Sequence, residues 1–430
     1  MGPGTATSSH FSRREWFAGA GSSFLLAAST LGANARAAKP HPVQAGADGK
    51  SFDLLIKGGK VYDSSQQLEE IRDVAINNGK IARVEHDISA DHTRQVFDAS
   101  GKIVTPGLID IHTHVFPYVG PYGIEPDPYC VRRGVTTALD AGTSGAFTFP
   151  AFRRFIISPA ATRVRALLHI VSIGMVTGST PHMGELEDLR YCDPQLAVQV
   201  AEENRDLIVG FKIRFSEKYT GPNDLEGLKR ARMAADQARL PLMTHIGGSF
   251  TPLPLLLAML KEGDVVTHSF NSLRHGIVDP TGKVTPEVHE ARQRGVLFDV
   301  GHGAGSFSFE VMEKCLRQGF LPDTISSDLY SANIHGPVYD LTTTLSKFLL
   351  LGMSLGEIFA RCTVNAARTF NFGADIGTLK PGAEGDVSIL ELVAGDFTFT
   401  DSDGKTRQGR QKLQPVVTVR AGKLFYPAAG

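Results

Sequence analysis

The stretch TPGLIDIHTH, residues 105–114, ends an apolar run on two histidines separated by one residue. Side chains alternate faces along a strand, so His112 and His114 point the same way. Asp110 shares that face one step deeper and is placed to brace an imidazole. Two imidazoles at this spacing can hold one cation at about 2.0–2.1 Å. Alone the pair is weak: short His-x-His matches arise by chance, and satisfied core histidines are common. Its meaning depends on what stands at the ends of the other strands.

Seven more apolar, β-branched runs follow: GVTTALDAG (134–142), VRALLHIVSIG (164–174), DLIVGFKIRFS (206–216), LPLMTHIGG (240–248), DVVTHSF (264–270), GVLFDVGHG (295–303) and DTISSDLY (323–330). Stretches with helical spacing, such as DLEGLKRARMAADQA and SFEVMEKCLRQG, separate the later ones. Eight β/α units is the count of a closed parallel barrel. An open doubly wound sheet competes, but no GxGxxG follows a first strand. The expected fold is α/β, a (β/α)8 TIM barrel over 105–374 with a small β-sandwich domain built from both chain ends. That second domain takes 52–104 and 375–430, where short strands recur with turn signals. In the first of these ends the GG, NG and SG pairs fall where hairpin turns belong.

Before the strands, SRREWF (12–17) leads into AGAGSSFLLAASTLGA and then ANARAA. Twin arginines, a modestly apolar segment and small residues read as an export signal. Residues 1–37 are expected to be a twin-arginine-type signal sending the chain to the periplasm, and 38–51 a linker. Glycines and serines interrupt the segment, which is short of the ~20 residues of a span, so no stable membrane span is expected. The whole chain of 430 residues carries a formal net charge of −1, with 21% charged and 42% hydrophobic residues. No basic stripe with interleaved aromatics stands out, which argues against nucleic acid and leaves a small-molecule substrate as the expected partner. A homo-oligomer is left open. Cys130, Cys192, Cys315 and Cys362 lie far apart without a CxxC pair and read as isolated buried thiols, not as a disulfide framework or thiolate zinc site.

Ligand-type residues recur where the runs end. Lys212 ends LIVGFK, His245 ends LPLMTH, His268 ends DVVTH and Asp328 ends DTISSD. Each falls at the C-terminal end of a candidate barrel strand, the face where such barrels carry their sites. Five of eight strands ending in this chemistry is hard to attribute to core packing. An ammonium buried beside cations is strongly disfavoured. Lys212 must therefore find a carboxylate, lose its proton, or be modified. Addition of CO2 would make a carbamate whose two oxygens can bridge two metals.

In these motifs the chain resembles the amidohydrolase superfamily of binuclear metal-dependent hydrolases: PGLIDIHTH, GFKIR, THIG, VTHSF and SSDLY stand in that family's order over about 52–425. DVGHGAGSFSF, PDTISSDLY, HGPVYDLTTTLSKFLLLGM and TVNAARTF resemble its dihydroorotase-like, amidohydrolase-deacetylase branch, which includes acetyl-(R)-mandelate esterase-like enzymes. The resemblance implies two divalent metal ions, with Zn2+ expected. It implies that His112 and His114 bind the inner ion and His245 and His268 the outer one. Lys212, as N6-carboxylysine, would bridge them, and Asp328 would touch the inner ion. The implied reaction is hydrolysis of an acyl ester or amide by a hydroxide shared between the metals, with Asp328 as proton shuttle and catalytic residue. Deacetylation of a small α-acyloxy or α-acylamino carboxylic acid is the leading expectation. A cyclic-amide hydrolase or an N-acyl-D-amino acid deacylase is the alternative within the fold, and an exported non-catalytic metal-binding barrel the alternative outside it.

Substrate contacts are expected nearby. Arg214, two residues past Lys212, is placed either to clamp a carboxylate or to make an ion pair at the strand's exit. In GHGAGSF (301–307), small residues including Gly303 let backbone N–H groups approach a ligand, and His302 is a donor for an oxyanion or carboxylate. YSANIHGP sets Tyr330 and His335 over the mouth, His335 being equally readable as loop packing. His169 and His182 are assigned no role.

Overall fold

The computed structural model describes residues 51–91, 93–178, 184–217 and 221–427. The expected export signal, the linker up to residue 50 and His182 lie outside the described residues.

The first end of the chain forms β1 (Phe52–Asp63), β2 (Leu68–Asn77), β3 (Lys80–Glu85), β4 (Thr93–Asp98) and β5 (Ile103–Pro106). The middle carries β6 (Leu108–Thr113), β7 (Val135–Gly145), β8 (Arg163–His169), β9 (Ile208–Arg214), β10 (Leu242–His245), β11 (Val265–Thr267) and β12 (Leu297–Phe298). The other end adds β13 (Val387–Thr400), β14 (Thr406–Arg420) and β15 (Lys423–Phe425).

β6 to β12 pair in chain order as one parallel seven-stranded sheet. Every residue of β7 is buried, as expected of strands covered on both faces and read as continuous apolar runs. The eighth run, 323–330, forms no ladder. It makes single parallel bridges, Asp299 to Thr324 beyond β12 and Thr113 to Leu329 on β6. His114 N–H also donates to Leu329 O at 3.0 Å. Helices pack outside this TIM-barrel-like sheet. The longest, Asp224–Ala238, buries Leu228, Ala231, Ala234, Ala235 and Ala238 at helical spacing, with Asp224 and Glu226 in its first turn, where the helix dipole favours acids.

The two chain ends share a single eight-stranded sheet in the order β15-β14-β13-β5-β1-β2-β3, with β4 also on β1. The ends thus form a sheet domain whose strands are joined through β1 into one branched, hydrogen-bonded sheet. Two of the three expected hairpin turns are corrected. Gly58–Gly59 lies inside β1 as a bulge, where the partner changes from β4 (to Lys57) to β5 (from Lys60). A side chain on Gly59 would meet Val104 Cγ2 at 2.3 Å, so the handover requires glycine there. Ser100–Gly101 joins two strands that both run parallel to β1, so it cannot close a hairpin. Asn78–Gly79 does close one, with φ of 50° and 71°, the primed turn that suits strand twist. Among the described residues, no helix is long and apolar enough to cross a membrane.

Candidate active site

His112 stands near the end of β6 and His114 just beyond it. Lys212 lies on β9, His245 ends β10, His268 follows β11, and Asp328 sits in the bridged run. All six line one cavity of about 260 Å3, with Tyr122, Met175, Arg214, Leu273, Ser306 and Tyr330 among the other walls. A larger hollow of about 550 Å3 opens at the opposite strand ends. Four of its charged residues pair with one another, Lys261 with Asp236 and Arg232 with Asp264, and it holds none of the six.

The six are close. Asp328 Oδ1 is 3.3 Å from His112 Nε2 and 3.2 Å from His114 Nε2, and Lys212 Nζ is 3.3 Å from His112 Nε2. Ring centroids of His112 and His268 are 4.7 Å apart, and those of His245 and His268 4.2 Å. The outer nitrogens explain which way the inner ones face. Thr267 Oγ1 donates its one proton to Asp299 Oδ2 at 2.8 Å, so it must accept from His112 Nδ1–H, also at 2.8 Å. His268 Nδ1 meets Gly301 O at 2.6 Å, and a carbonyl only accepts. The Nε2 atoms of His112 and His268 are therefore bare lone pairs. Burial keeps all four imidazoles neutral, holding His114 down to about 3 and His268 to about 4. Bare nitrogens and a carboxylate oxygen gathered within 4.8 Å, as in His112, His268 and Asp328, repel unless a cation joins them. This donor set fits divalent metal.

Lys212 is buried, and burial lowers its pKa while raising that of Asp328. Among the described residues its one hydrogen-bond partner is His112 Nε2, and no carboxylate pairs with it. Asp328 is the carboxylate whose charge most favours the ammonium, with no hydrogen bond between the two. His268 and Asp328 both hold left-handed backbone, with φ of 62° and 49°. Non-glycine residues kept there against steric cost commonly mark sites whose geometry is imposed by function.

Three buried carboxylates brace the site, and the expected role of Asp110 is corrected. It accepts from His112 N–H at 3.3 Å and from Ser327 N–H at 3.0 Å, with a further short bond from Ser327 Oγ, and touches no imidazole. It ties β6 to the bridged run that carries Asp328. Asp140 accepts from Val115 N–H and Thr143 N–H, and Thr143 Oγ1 lies 2.8 Å from His114 Nδ1. Asp299 collects hydroxyls from Thr267, Thr324 and Ser326. Burial raises the carboxyl of Asp110 to about 7 and that of Asp299 to about 6. The signal for all three is an acid inside an apolar run, as in GLIDI, TALDA and LFDV.

The expected substrate contacts divide. Tyr330 lines the cavity, 5.0 Å from Tyr122 between ring centroids. Arg214 lines it too, and its fork grips the buried Glu185, Nε–Oε1 at 2.5 Å and Nη2–Oε2 at 2.7 Å. Glu185 is fully buried and lies in a loop that no strand pattern marks. The expected role of His302 is corrected: it is buried outside the cavity, with Lys347 Nζ on its Nε2 at 2.7 Å. Gly303 forms the wall behind Asp328, and a Cβ there would lie 2.3 Å from Asp328 Oδ2. His335 is exposed and lines no part of the cavity.

A family described as "Deacetylase-like composite domain" matches residues 379–426. A deacetylase of Enterococcus faecalis is 36% identical over 377 residues, covering 87% of this chain and 99% of its own. A crystal structure of an adenine deaminase superposes with a TM-score of 0.80 at 35% identity, over 87% of this chain and 100% of that one. A crystal structure of a dihydroorotase does so with a TM-score of 0.80 at 30% identity, over 87% and 99%. The chain is a hydrolase of the amidohydrolase superfamily and belongs to its deacetylase branch.

Proposed function

We propose that this chain is a metal-dependent deacetylase acting on a small α-acyloxy or α-acylamino carboxylic acid. The observation that carries the reading is the convergence of His112, His114, Lys212, His245, His268 and Asp328 on one cavity, with bare Nε2 atoms beside a carboxylate. The name of the Enterococcus faecalis relative supports an acetyl group. In this reading the 323–330 run is the eighth strand, and its single bridges are the seam of a closed barrel.

His112, His114 and Asp328 would hold an inner ion, and His245 and His268 an outer one, zinc being well suited to imidazole and carboxylate oxygen. Lys212, carboxylated on Nζ, would stand between them as N6-carboxylysine. When bound, the two ions would acidify a water and polarise the scissile carbonyl. Asp328 takes the proton that the attacking water loses and delivers it to the leaving oxygen or nitrogen. Tyr122, Met175, Leu273 and Tyr330 give the acid portion an apolar wall. Ala304, Gly305 and Ser306 line the rim, and none of their N–H groups donates among the described residues, which suits a substrate carboxylate there. Arg214, balanced by Glu185, donates to Tyr122 Oη at 3.1 Å and so orients that wall.

The Thr267 lock on His112 has its own test. Thr267→Val is expected to weaken zinc binding about 10–100-fold, by leaving His112 Nδ1–H without its acceptor. A competition titration reads this directly, and an unchanged affinity would remove the lock.

The function itself is tested with zinc-loaded protein and a panel of acetylated α-hydroxy acids, N-acetyl amino acids of both hands, dihydroorotate, hydantoins and adenine. Acetate release from the first two classes is expected. Ring opening alone would favour the cyclic-amide reading, which the similarity to a dihydroorotase supports. Full metal loading without turnover on any compound would favour a non-catalytic barrel. We further propose export through SRREWF, to be checked by fractionating cells that express the chain with Arg13 and Arg14 replaced by lysine.

A further inference from the structure

β13 and β14 are long strands, 14 and 15 residues, but only Val387–Leu390 of β13 pair with β5. The remainder overhangs the sheet as a two-stranded ribbon. It runs along the helix Leu341–Leu350, where Leu413 N–H donates to Ser346 Oγ at 2.9 Å. Its tip lands on the 301–309 loop of the barrel. Ser402 Oγ bonds Gly303 O at 3.0 Å and His302 O at 3.2 Å, and accepts from Phe307 N–H at 3.1 Å. Ser402 N–H donates to Phe307 O at 2.9 Å, and Asp401 Oδ2 accepts from Phe309 N–H at 3.0 Å.

Lys347, fully buried on that helix, completes the attachment. Its Nζ donates to Thr400 O at 2.7 Å on the ribbon, to Pro337 O at 2.9 Å, and to His302 Nε2 at 2.7 Å. His302 Nδ1 faces Gly303 O at 2.8 Å, which can only accept, so the imidazole is neutral with a bare Nε2 that receives the lysine. The bonds from Ser402 Oγ and the bond from Lys347 to His302 end on Gly303 or on the residue before it, and Gly303 is the surface against which Asp328 Oδ2 rests.

We infer that the ribbon tip is a strut for the reaction, and that Ser402, with Lys347, is a positioning residue that fixes Gly303 and through it the orientation of the Asp328 carboxylate. This rests on Asp328 being the proton carrier. With only Oδ1 turned toward the two histidines, 3.3 and 3.2 Å from their Nε2 atoms, the carboxylate can rotate about its last bond. The wall at Gly303 removes that freedom, and Ser402 bonds the carbonyls on either side of the wall's peptide.

The test uses the full chain. Ser402→Ala is expected to lower kcat about tenfold, with KM, zinc content and Tm close to wild type, and Ser402→Thr, which keeps the hydroxyl, to restore it. In cobalt-loaded protein the visible absorption should shift in the alanine variant and return in the threonine variant, a readout that needs no substrate. An unchanged kcat and spectrum in Ser402→Ala would overturn the strut, as would a loss of activity matched by a loss of Tm that threonine does not repair. Asp328→Asn is assayed alongside. If it is inactive while Ser402→Ala matches wild type, only the strut fails. If it is fully active, the proton-carrier reading fails and the strut with it.

Discussion

Asp328→Asn is expected to retain its metal and to lose kcat by about 10²–10⁴-fold, the usual worth of a positioned proton carrier. The substitution is nearly isosteric, so an oxygen can stay where Oδ1 now lies, 3.3 and 3.2 Å from the two histidines. Asparagine also tolerates the left-handed backbone at this residue, φ 49°, better than most side chains. Asn333 Nδ2–H donates to the carbonyl of residue 328 at 2.7 Å, a bond the substitution leaves intact. What the variant lacks is a group that can take and return a proton beside Gly303. Zinc content and kcat for acetate release, measured on the same preparation, check the split. Near-full turnover, or loss of metal in step with activity, would refute the role.

The second large effect is expected at Lys212. Lys212→Met keeps much of the buried volume and removes an amine that no carboxylate pairs with among the described residues. The metal-free variant should therefore unfold no more easily than wild type, because burying a charge without a partner is costly. It should lose at least one metal equivalent and more than about 100-fold in kcat, beyond the 10–100-fold typical of a residue that merely orients a ligand. Thermal unfolding of the stripped proteins, with zinc stoichiometry, separates the two effects. The wild-type intact mass should carry one CO2 that the variant lacks. Wild-type metal content and turnover in Lys212→Met would show that the lysine serves only as packing.

The reach and the blind spots of the sequence follow from physics. Seven of the eight apolar runs are strands because a parallel sheet buried on both faces needs continuous β-branched stretches. The eighth, DTISSDLY, is bonded at both its ends, but it spends Ser326 and Ser327 hydroxyls on Asp299 and Asp110. The six ligand-type residues were legible because strand ends are set by the same runs that set the strands. The supporting residues were less so. Arg214 and Glu185 meet across 29 residues, and His302 and Lys347 across 45, separations for which no periodicity exists. Thr267 stands beside His268 in plain view, but a threonine before a histidine says nothing until Asp299 takes its proton. The glycine pair in β1 misled for a related reason: a bulge and a turn require the same residue, and only the choice of partner strand tells them apart.

The most direct test of the central claim is activity on metal removal. Chelator-stripped protein should release no acetate from the substrates that the loaded enzyme cleaves, and added zinc should restore turnover as about two equivalents bind. Undiminished turnover by protein shown to be free of metal would contradict a metal-dependent site at His112, His114, Lys212, His245, His268 and Asp328.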